Sequence, residues 1–262
     1  MERQPATDRM SELSELNPTT RFSDRVEDYV RYRPGYPAAA IDAILAGIGD
    51  ISGLVAADVG AGTGISARLL AERGIRVLAV EPNAGMRAAA APHGLVEWHD
   101  GTAEATGLQD GRAGLVLCAQ AFHWFRKAEA LREFHRVLRP GGRLALMWNQ
   151  RDGRDPFTAG YRQAIVDVEG ESPLESREYD PGLVHADGLF SPAESYETPN
   201  SQRFDLEGLI GRATSASYAP NSGSGLASLR QSLSRLYHEF ADRDGMVELK
   251  YVTQVYLATR RP

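Results

Sequence analysis

Residues suited to binding a small ligand follow three consecutive predicted strands, each at the point where the strand ends. The first group is the sequence GAGTG at residues 60–64, and glycines this closely spaced let a ligand approach the backbone. Glu81 ends the second strand, where a carboxylate can accept hydrogen bonds from both hydroxyls of a ribose. The sequence GTAE at residues 101–104 ends the third strand, where a backbone amide and a short side chain can contact an adenine edge. Together the three groups predict a site for an adenosine-containing ligand.

The spacing of the glycines discriminates between possible ligands. A dinucleotide fingerprint has the pattern G-x-G-x-x-G, in which the third glycine allows close packing of helix on strand. Ile65 occupies that third position here, and no Gly-Lys-Ser/Thr follows as a phosphate-binding loop requires. A nicotinamide-dependent oxidoreductase is therefore the alternative hypothesis, and the favoured ligand is an adenosine without a diphosphate.

Polar and aromatic residues also follow the fourth and fifth predicted strands, at the same edge of the sheet. His123 is the candidate general base, with a structural hydrogen bond in its turn as the alternative. Phe122 and Trp124 beside it either line an acceptor pocket or pack the turn. Asn149, at the end of the fifth strand, either orients an acceptor carbonyl or caps the following loop. The histidines show no metal-ligand spacing, so no metal site is predicted.

The elements that position these residues alternate between apolar runs and helical patterns, as a parallel α/β sheet requires. The runs lack clean alternation of polar and apolar residues, which is typical of strands covered on both faces. The predicted strands are 54–60, 75–82, 95–101, 113–121 and 142–150, followed later by 194–206 and 247–260. The predicted helices are 65–73, 83–91, 128–138, 206–217 and 226–241, with two helical pieces joined at Pro34-Gly35 near the start.

Composition excludes several classes of protein. The 262 residues have a net charge of −6 and no block of lysine and arginine, so a nucleic-acid partner is not predicted. Cys118 is the single cysteine, which excludes an internal disulfide and fits a reducing cytoplasm. No apolar run reaches the length of a membrane span, and residues 1–20 are polar without a secretory signal. We therefore expect a cytoplasmic protein without a membrane partner; the sequence does not predict its oligomeric state.

The motifs together resemble the class I S-adenosylmethionine-dependent methyltransferases, and in particular the small-molecule group called methyltransferase type 11, with its trans-aconitate-type and toxoflavin-type enzymes. The resemblance covers residues 22–149 with good motif density and continues weakly to the last strand. The matching stretches are FSDRVEDYVRYRPGYP, DVGAGTG, VLAVEPNAGM, GTAEATGL, LVLCAQAFHWF and REFHRVLRPGGRLALMWN.

The resemblance implies a Rossmann-like sheet of seven strands, with the last strand antiparallel, a helical lid before the sheet and an insertion after strand five. It divides the chain into a mobile arm (1–20) and a single domain (21–262). The domain comprises a lid (21–50), a cofactor-binding core (51–150), a substrate-side insertion (151–192) and C-terminal strands and helices (193–262).

The resemblance also implies roles for individual residues, with S-adenosylmethionine as cofactor and a small molecule as methyl acceptor. The predicted contacts with the methionine portion are Gly60, Ala61 and Gly62, with Arg33 at its carboxylate. The predicted contacts with the ribose are Glu81 and Pro82, and those with the adenine are Met86, Thr102, Ala103 and Glu104. The residues predicted to lie below the sulfonium are Gln120 and Ala121. Predicted substrate contacts are Tyr32, Tyr36, Phe122, His123, Trp124 and Asn149.

Two positions depart from the family pattern. Gly114 stands where many relatives have Asp before the fourth strand, and Arg126 stands where Asp often follows the HWF sequence. Both bear on the substrate and on local packing more than on the cofactor. Because transfer itself requires no obligatory catalytic residue, a protein that binds S-adenosylmethionine without transferring its methyl group is a further alternative.

Overall fold

The computed structural model describes residues 32–170, 180, 182–215 and 222–262, and their strands form a single seven-stranded sheet. The strands are β1 (Val55–Val59), β2 (Arg76–Val80), β3 (Val96–His99), β4 (Ala113–Ala119), β5 (Leu138–Arg151), β6 (Glu194–Phe204) and β7 (Val247–Thr259). The helices are α1 (Ala38–Leu45), α2 (Ile65–Ala71), α3 (Ala84–Ala88), α4 (Lys127–Val137), α5 (Pro156–Glu169), α6 (Gly182–His185), α7 (Leu206–Thr214) and α8 (Gly223–Phe240), with a 3-10 turn at Phe122–Trp124.

The strand order is β3-β2-β1-β4-β5-β7-β6. The first five strands are parallel, and β7 lies between β5 and β6 and is antiparallel to both. This confirms the predicted α/β sheet of seven strands with an antiparallel last strand. The carboxyl ends of β1 to β5 therefore share one edge, where ligands bind in folds of this type.

Apolar side chains cover both faces of the parallel strands, which explains why these strands read as continuous apolar runs. Along β1, Ala57 and Val59 face the cluster that contains Phe134 of α4. Ala56 faces the opposite cluster, which contains Leu70 of α2 and Ile44 of α1. A third cluster joins α5, α7 and α8 to β6 and β7, and we call these three helices the helical lobe.

The start of β5 differs from the prediction. The predicted helix at 128–138 and the predicted strand at 142–150 leave a turn between them, but β5 already begins at Leu138. Ala113 pairs with Leu138 and Leu115 pairs with Arg143, so the intervening residues of β5 bulge out of the pairing. The predicted turn is therefore a bulge within β5. Short-range sequence patterns do not distinguish such a bulge from a turn between a helix and a strand.

Some of the predicted segments lie outside the residues that the structure describes. The predicted arm at 1–20, most of the first helical piece and part of the 151–192 insertion lie outside the described residues. The domain division itself stays a prediction. In the described part of the chain, no helix is both long and apolar enough to cross a membrane.

Gly142 provides a test of the packing at this bulge. A Cβ on Gly142 would lie 2.8 Å from the backbone oxygen of Arg139, and backbone cannot move aside as a side chain can. We expect Gly142→Ala to lower the free energy of unfolding by about 1–3 kcal/mol in a denaturant titration, because the site is already fully packed. Gly53→Ala is the matched control, since nothing lies within 4 Å of a Cβ there. Equal stability of the two variants would contradict the described packing.

Candidate functional site

The loop between β1 and α2 is held against β2 by backbone hydrogen bonds. The N–H groups of Gly60 and Ala61 donate to the carbonyl of Val80 at 2.9 and 3.1 Å. Gly60 has a φ of +71°, and a Cβ there would lie 2.6 Å from the Cβ of Ala121. Glycine is therefore required at position 60 both for the backbone conformation and for the close approach of the loop that follows β4.

The carboxylate of Glu81 connects the loops that follow β1 and β2. Its Oε2 accepts the N–H of Gly62 at 2.9 Å, and its Oε1 accepts the N–H of Asn83 at 2.9 Å. Burial raises the pKa of Glu81, and the two backbone hydrogen bonds oppose that rise. Each carboxylate oxygen has a further lone pair, so the group can also accept hydrogen bonds from a pair of vicinal hydroxyls.

Asp58 in β1 is a candidate site residue to which the sequence reasoning assigned no role. Its side chain is completely buried, and its Oδ2 accepts the hydroxyl of Ser66 at 2.7 Å. Its Oδ1 is also buried and has no hydrogen-bond partner of good geometry among the described residues, although the backbone N–H of Ala67 is close enough to lower the pKa of the carboxyl. Burial raises the pKa of Asp58 to about 7, and the nearby charge of Glu81 adds to the rise. The sequence feature that could have indicated a role for Asp58 is that it is a single acid inside the apolar run LVAADVG.

The turn that follows β3 is closed by two backbone hydrogen bonds between Thr102 and Ala105, of 3.1 and 3.2 Å. Ala103 is buried within this turn. The carboxylate of Glu104 accepts the N–H of Arg126 at 2.9 Å, next to the start of α4. The Glu104 side chain thus ties the turn to the start of α4. The adenine contact of this turn stays a prediction.

Pro82 lies in the turn that Glu81 begins, and Met86 lies in α3, which follows this turn. The N–H of Met86 donates to Oδ1 of Asn83 at 3.1 Å, and the Met86 side chain is buried. Asn83 thereby caps α3, and the same residue donates its own N–H to Glu81. The predicted ribose and purine contacts therefore belong to one hydrogen-bonded unit.

The end of β4 carries an uncommon backbone conformation at Gln120. Its φ is +56°, the single positive value among the described residues other than glycine. The Gln120 N–H donates to the carbonyl of Met147 at 2.8 Å, and its Nε2 donates to the carbonyl of Asn149 at 3.1 Å. Backbone outliers of this kind concentrate at functional sites. Ala121, the next residue, lies against Gly60. The contact of Gln120 and Ala121 with the sulfonium stays a prediction.

His123 lies in the 3-10 turn after β4 and is 8% exposed. The indole N–H of Trp148 points to its Nδ1 at a separation of 3.4 Å, and the ring of Trp124 lies 5.0 Å from its own ring. Because the indole can only donate, Nδ1 accepts and the proton of a neutral imidazole is on Nε2. In this tautomer Nε2 is a donor. Phe122, by contrast, is fully buried in the core below the turn.

Residues 32–37, which we call the strap, cross the sheet edge near β5 and β6. The carbonyl of Gly35 accepts the side-chain amides of Asn149 and Asn200 at 3.1 and 2.9 Å. The ring of Tyr32 lies against Gly211 in α7, where a Cβ would be 2.3 Å from its Cζ. The strap is thus bound to both the sheet and the helical lobe.

The predicted ligand-binding residues of the strap and of β5 contact different parts of the protein. Oδ1 of Asn149 accepts the hydroxyl of Thr253 at 2.6 Å and the amide of Asn200 at 3.1 Å. Both ends of its carboxamide therefore contact protein groups, and its role in acceptor binding stays a prediction. Tyr36 packs against the cluster that contains α1 and α2, and Nε of Arg33 is buried.

A model of the methyltransferase domain family matches residues 57–146 of the chain. An uncharacterized methyltransferase of Mycobacterium tuberculosis is 45% identical over 136 residues, which are 51% of this chain and 54% of that protein. An uncharacterized methyltransferase of Schizosaccharomyces pombe is 31% identical over 193 residues, which are 70% of this chain and 76% of that protein. The match thus spans about half the length of the first relative and three quarters of the second.

A solved structure has the same fold. A proposed type II methyltransferase from Anaeromyxobacter dehalogenans aligns with 88% of this chain and 98% of its own, with a TM-score of 0.61 and 24% identity. The family match, the long alignment with the Schizosaccharomyces pombe protein and the sheet order all indicate the same family. The chain belongs to the class I S-adenosylmethionine-dependent methyltransferases.

Proposed function

We propose that this protein transfers the methyl group of S-adenosylmethionine to a small-molecule acceptor, on oxygen or nitrogen, by in-line displacement. The observation that carries the proposal is the pair of buried carboxylates, Asp58 and Glu81, at the ends of β1 and β2 beside the glycine loop. Glu81 offers acceptors for two ribose hydroxyls, and the buried carboxylate of Asp58, when it is ionised, favours a cationic group nearby. S-adenosylmethionine carries both features, whereas a dinucleotide brings a diphosphate that these carboxylates would repel.

The other predicted contacts complete this proposal. The methionine portion of the donor is held by Gly60, Ala61 and Gly62, and its carboxylate by Arg33. The adenine is enclosed by Thr102, Ala103, Glu104 and Met86, and the ribose contact is supported by Pro82. Below the sulfonium lie Gln120 and Ala121. Tyr32, Tyr36, His123, Trp124 and Asn149 surround the acceptor. The buried Phe122 instead packs the turn that carries His123 and Trp124.

The protein's contribution to such a reaction is binding and orientation. When bound, S-adenosylmethionine supplies a methyl group on a positively charged sulfur that is already activated for displacement. Glu81 and the glycine loop fix the position of the donor, and the strap excludes water from the same edge. His123, with the proton on Nε2, donates a hydrogen bond to the acceptor; to act as a base it would first have to give up its contact with Trp148.

The composition of the chain supports a small acceptor over a nucleic acid. Its net charge is −6, and it lacks the basic track that a nucleic-acid substrate requires. A mass-spectrometric screen of candidate small acceptors with isotope-labelled S-adenosylmethionine tests the activity directly. Labelled product is expected; binding of the donor without transfer to any acceptor class would favour the alternative, a protein that binds S-adenosylmethionine without transferring its methyl group.

Glu81→Ala tests the donor site. The substitution removes two charge-assisted hydrogen bonds to the ribose and releases Gly62, so we expect the Kd for S-adenosylhomocysteine to rise about 10- to 100-fold. Isothermal titration calorimetry measures the change. Glu97→Gln is the matched control, because Glu97 is an exposed acid on the neighbouring β3 that pairs with Arg76. An unchanged Kd in the Glu81 variant would contradict the proposed ribose contact.

Asp58 predicts a pH dependence with a defined sign. Because its pKa of about 7 in the folded protein lies above the usual value of 3.8, folding favours the protonated form. The free energy of unfolding should therefore fall as the pH rises from about 4 to about 7, by on the order of 2–4 kcal/mol from this group. Asp58→Asn should remove that loss, so its melting temperature should exceed that of the wild type at pH 8 and approach it at pH 5.

The same carboxylate should make donor binding pH-dependent. A cationic ligand favours the ionised form, so binding releases a proton, and affinity for S-adenosylmethionine should rise from pH 6 to pH 8. Asp58→Asn should bind more weakly and show a flat profile. Parallel pH profiles of the two proteins in both melting and titration would show that Asp58 does not titrate as described.

His123→Ala separates the two roles of His123. A hydrogen-bond donor predicts a fall in kcat of about tenfold or less, with the shape of the pH profile unchanged. A general base predicts a fall of about 100-fold or more and loss of the acidic limb of the profile. We expect the first result, and the second would contradict the tautomer assigned from the Trp148 contact.

A further inference from the structure

A small network of polar side chains lies beside the strap, on three neighbouring strands of the sheet. Asn149 of β5 pairs in register with Thr253 of β7. Asn200 of β6 pairs in register with Tyr251, which is two residues before Thr253 in β7. Because side chains two residues apart on a strand share a face, Asn149, Thr253 and Asn200 lie on the same side of the sheet. We call these three residues the latch.

The carbonyl group of Gly35 in the strap fixes the orientation of the latch. A carbonyl can only accept, so Asn149 and Asn200 present their Nδ2 nitrogens to it, at 3.1 and 2.9 Å. Oδ1 of Asn149 then accepts the Thr253 hydroxyl at 2.6 Å and Nδ2 of Asn200 at 3.1 Å. Oδ1 of Asn200 accepts the N–H of Ser201 at 2.9 Å. The two amide hydrogens of Asn200 thus have two acceptors, one in the strap and one in the sheet.

The strap needs side-chain partners of this kind because its own backbone has few donors. Pro34 and Pro37 lack an N–H, so the strap cannot form a continuous ladder of backbone hydrogen bonds with a neighbouring strand. Its described contacts with the sheet use carbonyl groups instead. Gly35 accepts from the latch, and the carbonyl of Tyr32 lies 3.4 Å from Nε2 of Gln202 in β6.

Thr253 anchors the latch in the core of the protein. It is completely buried, between Tyr251 and Val255 on the buried face of β7. A buried hydroxyl costs free energy unless it is hydrogen-bonded, and the bond to Asn149 meets this requirement. Gly35, by contrast, is exposed. The latch therefore has one end fixed in the sheet and another at the surface, where it holds the strap.

The latch is also connected to the glycine loop. Nε2 of Gln120 donates to the backbone carbonyl of Asn149 at 3.1 Å. Ala121, the next residue, lies against the glycine loop, because a Cβ on Gly60 would be 2.6 Å from the Cβ of Ala121. A continuous series of contacts thus runs from the glycine loop through the end of β4 and the latch to the strap.

We propose that Asn200 and Thr253 are positioning residues that act through Asn149 to keep the strap in its ligand-binding conformation; this inference rests on the proposed function. The strap carries three of the predicted ligand contacts, Tyr32, Arg33 and Tyr36. A strap that is ordered beforehand loses little conformational freedom when a ligand binds. The latch therefore increases affinity without contacting the ligand.

The order of the strap tests the latch in the absence of any ligand. The double variant Asn200→Ala/Thr253→Val removes three of the hydrogen bonds described above and keeps the shape of the buried side chain. We expect the NMR order parameter of the Gly35 N–H to fall from about 0.85 to below about 0.6. Thr253→Ser, which keeps the hydroxyl, should retain the wild-type value. Gln254→Ala is the matched control, because it removes a β7–β6 hydrogen bond, to Glu197, that does not involve the strap.

Ligand affinity tests what the latch contributes to the site. In calorimetry the double variant should raise the Kd for S-adenosylhomocysteine about 5- to 50-fold, because part of the binding energy is then used to order the strap. Thr253→Ser and Gln254→Ala should stay within about twofold of the wild type.

Three results would contradict the proposal. An unchanged order parameter at Gly35 in the double variant would show that the latch does not hold the strap. A disordered strap with an unchanged Kd would show that the order of the strap does not affect binding. An equal rise in Kd for Gln254→Ala would assign the effect to the β6–β7 pairing in general. Wild-type protein that does not bind S-adenosylhomocysteine would instead refute the proposed function, while the order parameter would still decide whether the latch holds the strap.

Discussion

The geometry of the proposed donor site depends on the carboxylate of Glu81, because this one group accepts backbone N–H groups from both of the loops that are predicted to bind the ligand. One oxygen holds Gly62 of the glycine loop, and the other holds Asn83, which caps α3. The position of the glycine loop relative to β2 is therefore set before any ligand arrives. Preorganised acceptors of this kind lose little conformational freedom on binding, so more of the interaction energy contributes to affinity.

The same edge also concentrates negative charge. Asp58 and Glu81 are both buried, which raises the pKa of each, and the charge of Glu81 further disfavours ionisation of Asp58. In the absence of ligand this arrangement is electrostatically unfavourable, and a cationic ligand relieves it. Under the proposed function, the site therefore favours the sulfonium and ammonium groups of S-adenosylmethionine over the diphosphate of a dinucleotide. The charge of the site, as well as its shape, distinguishes between the two kinds of adenosine ligand.

The sequence predicts the sheet well, because strands buried on both faces give continuous apolar runs that helical patterns separate. Gly60 and Glu81 were also predictable, since turn conformation and a carboxylate at a strand end are local features. The bulge at residues 139–142 was missed because it depends on pairing with β4. The partners of Asn149 were not predictable either: Gly35, Asn200 and Thr253 are distant in sequence. For Asp58, the sequence shows an acid within an apolar run, but it does not show that the side chain is completely buried.

A calorimetric titration of the wild-type protein with S-adenosylhomocysteine and, separately, with NADH tests the central claim most directly. The account predicts one site with micromolar or tighter affinity for S-adenosylhomocysteine and no measurable heat of binding for NADH. Binding of NADH without binding of S-adenosylhomocysteine would contradict the assignment of the buried carboxylates to a methyl donor.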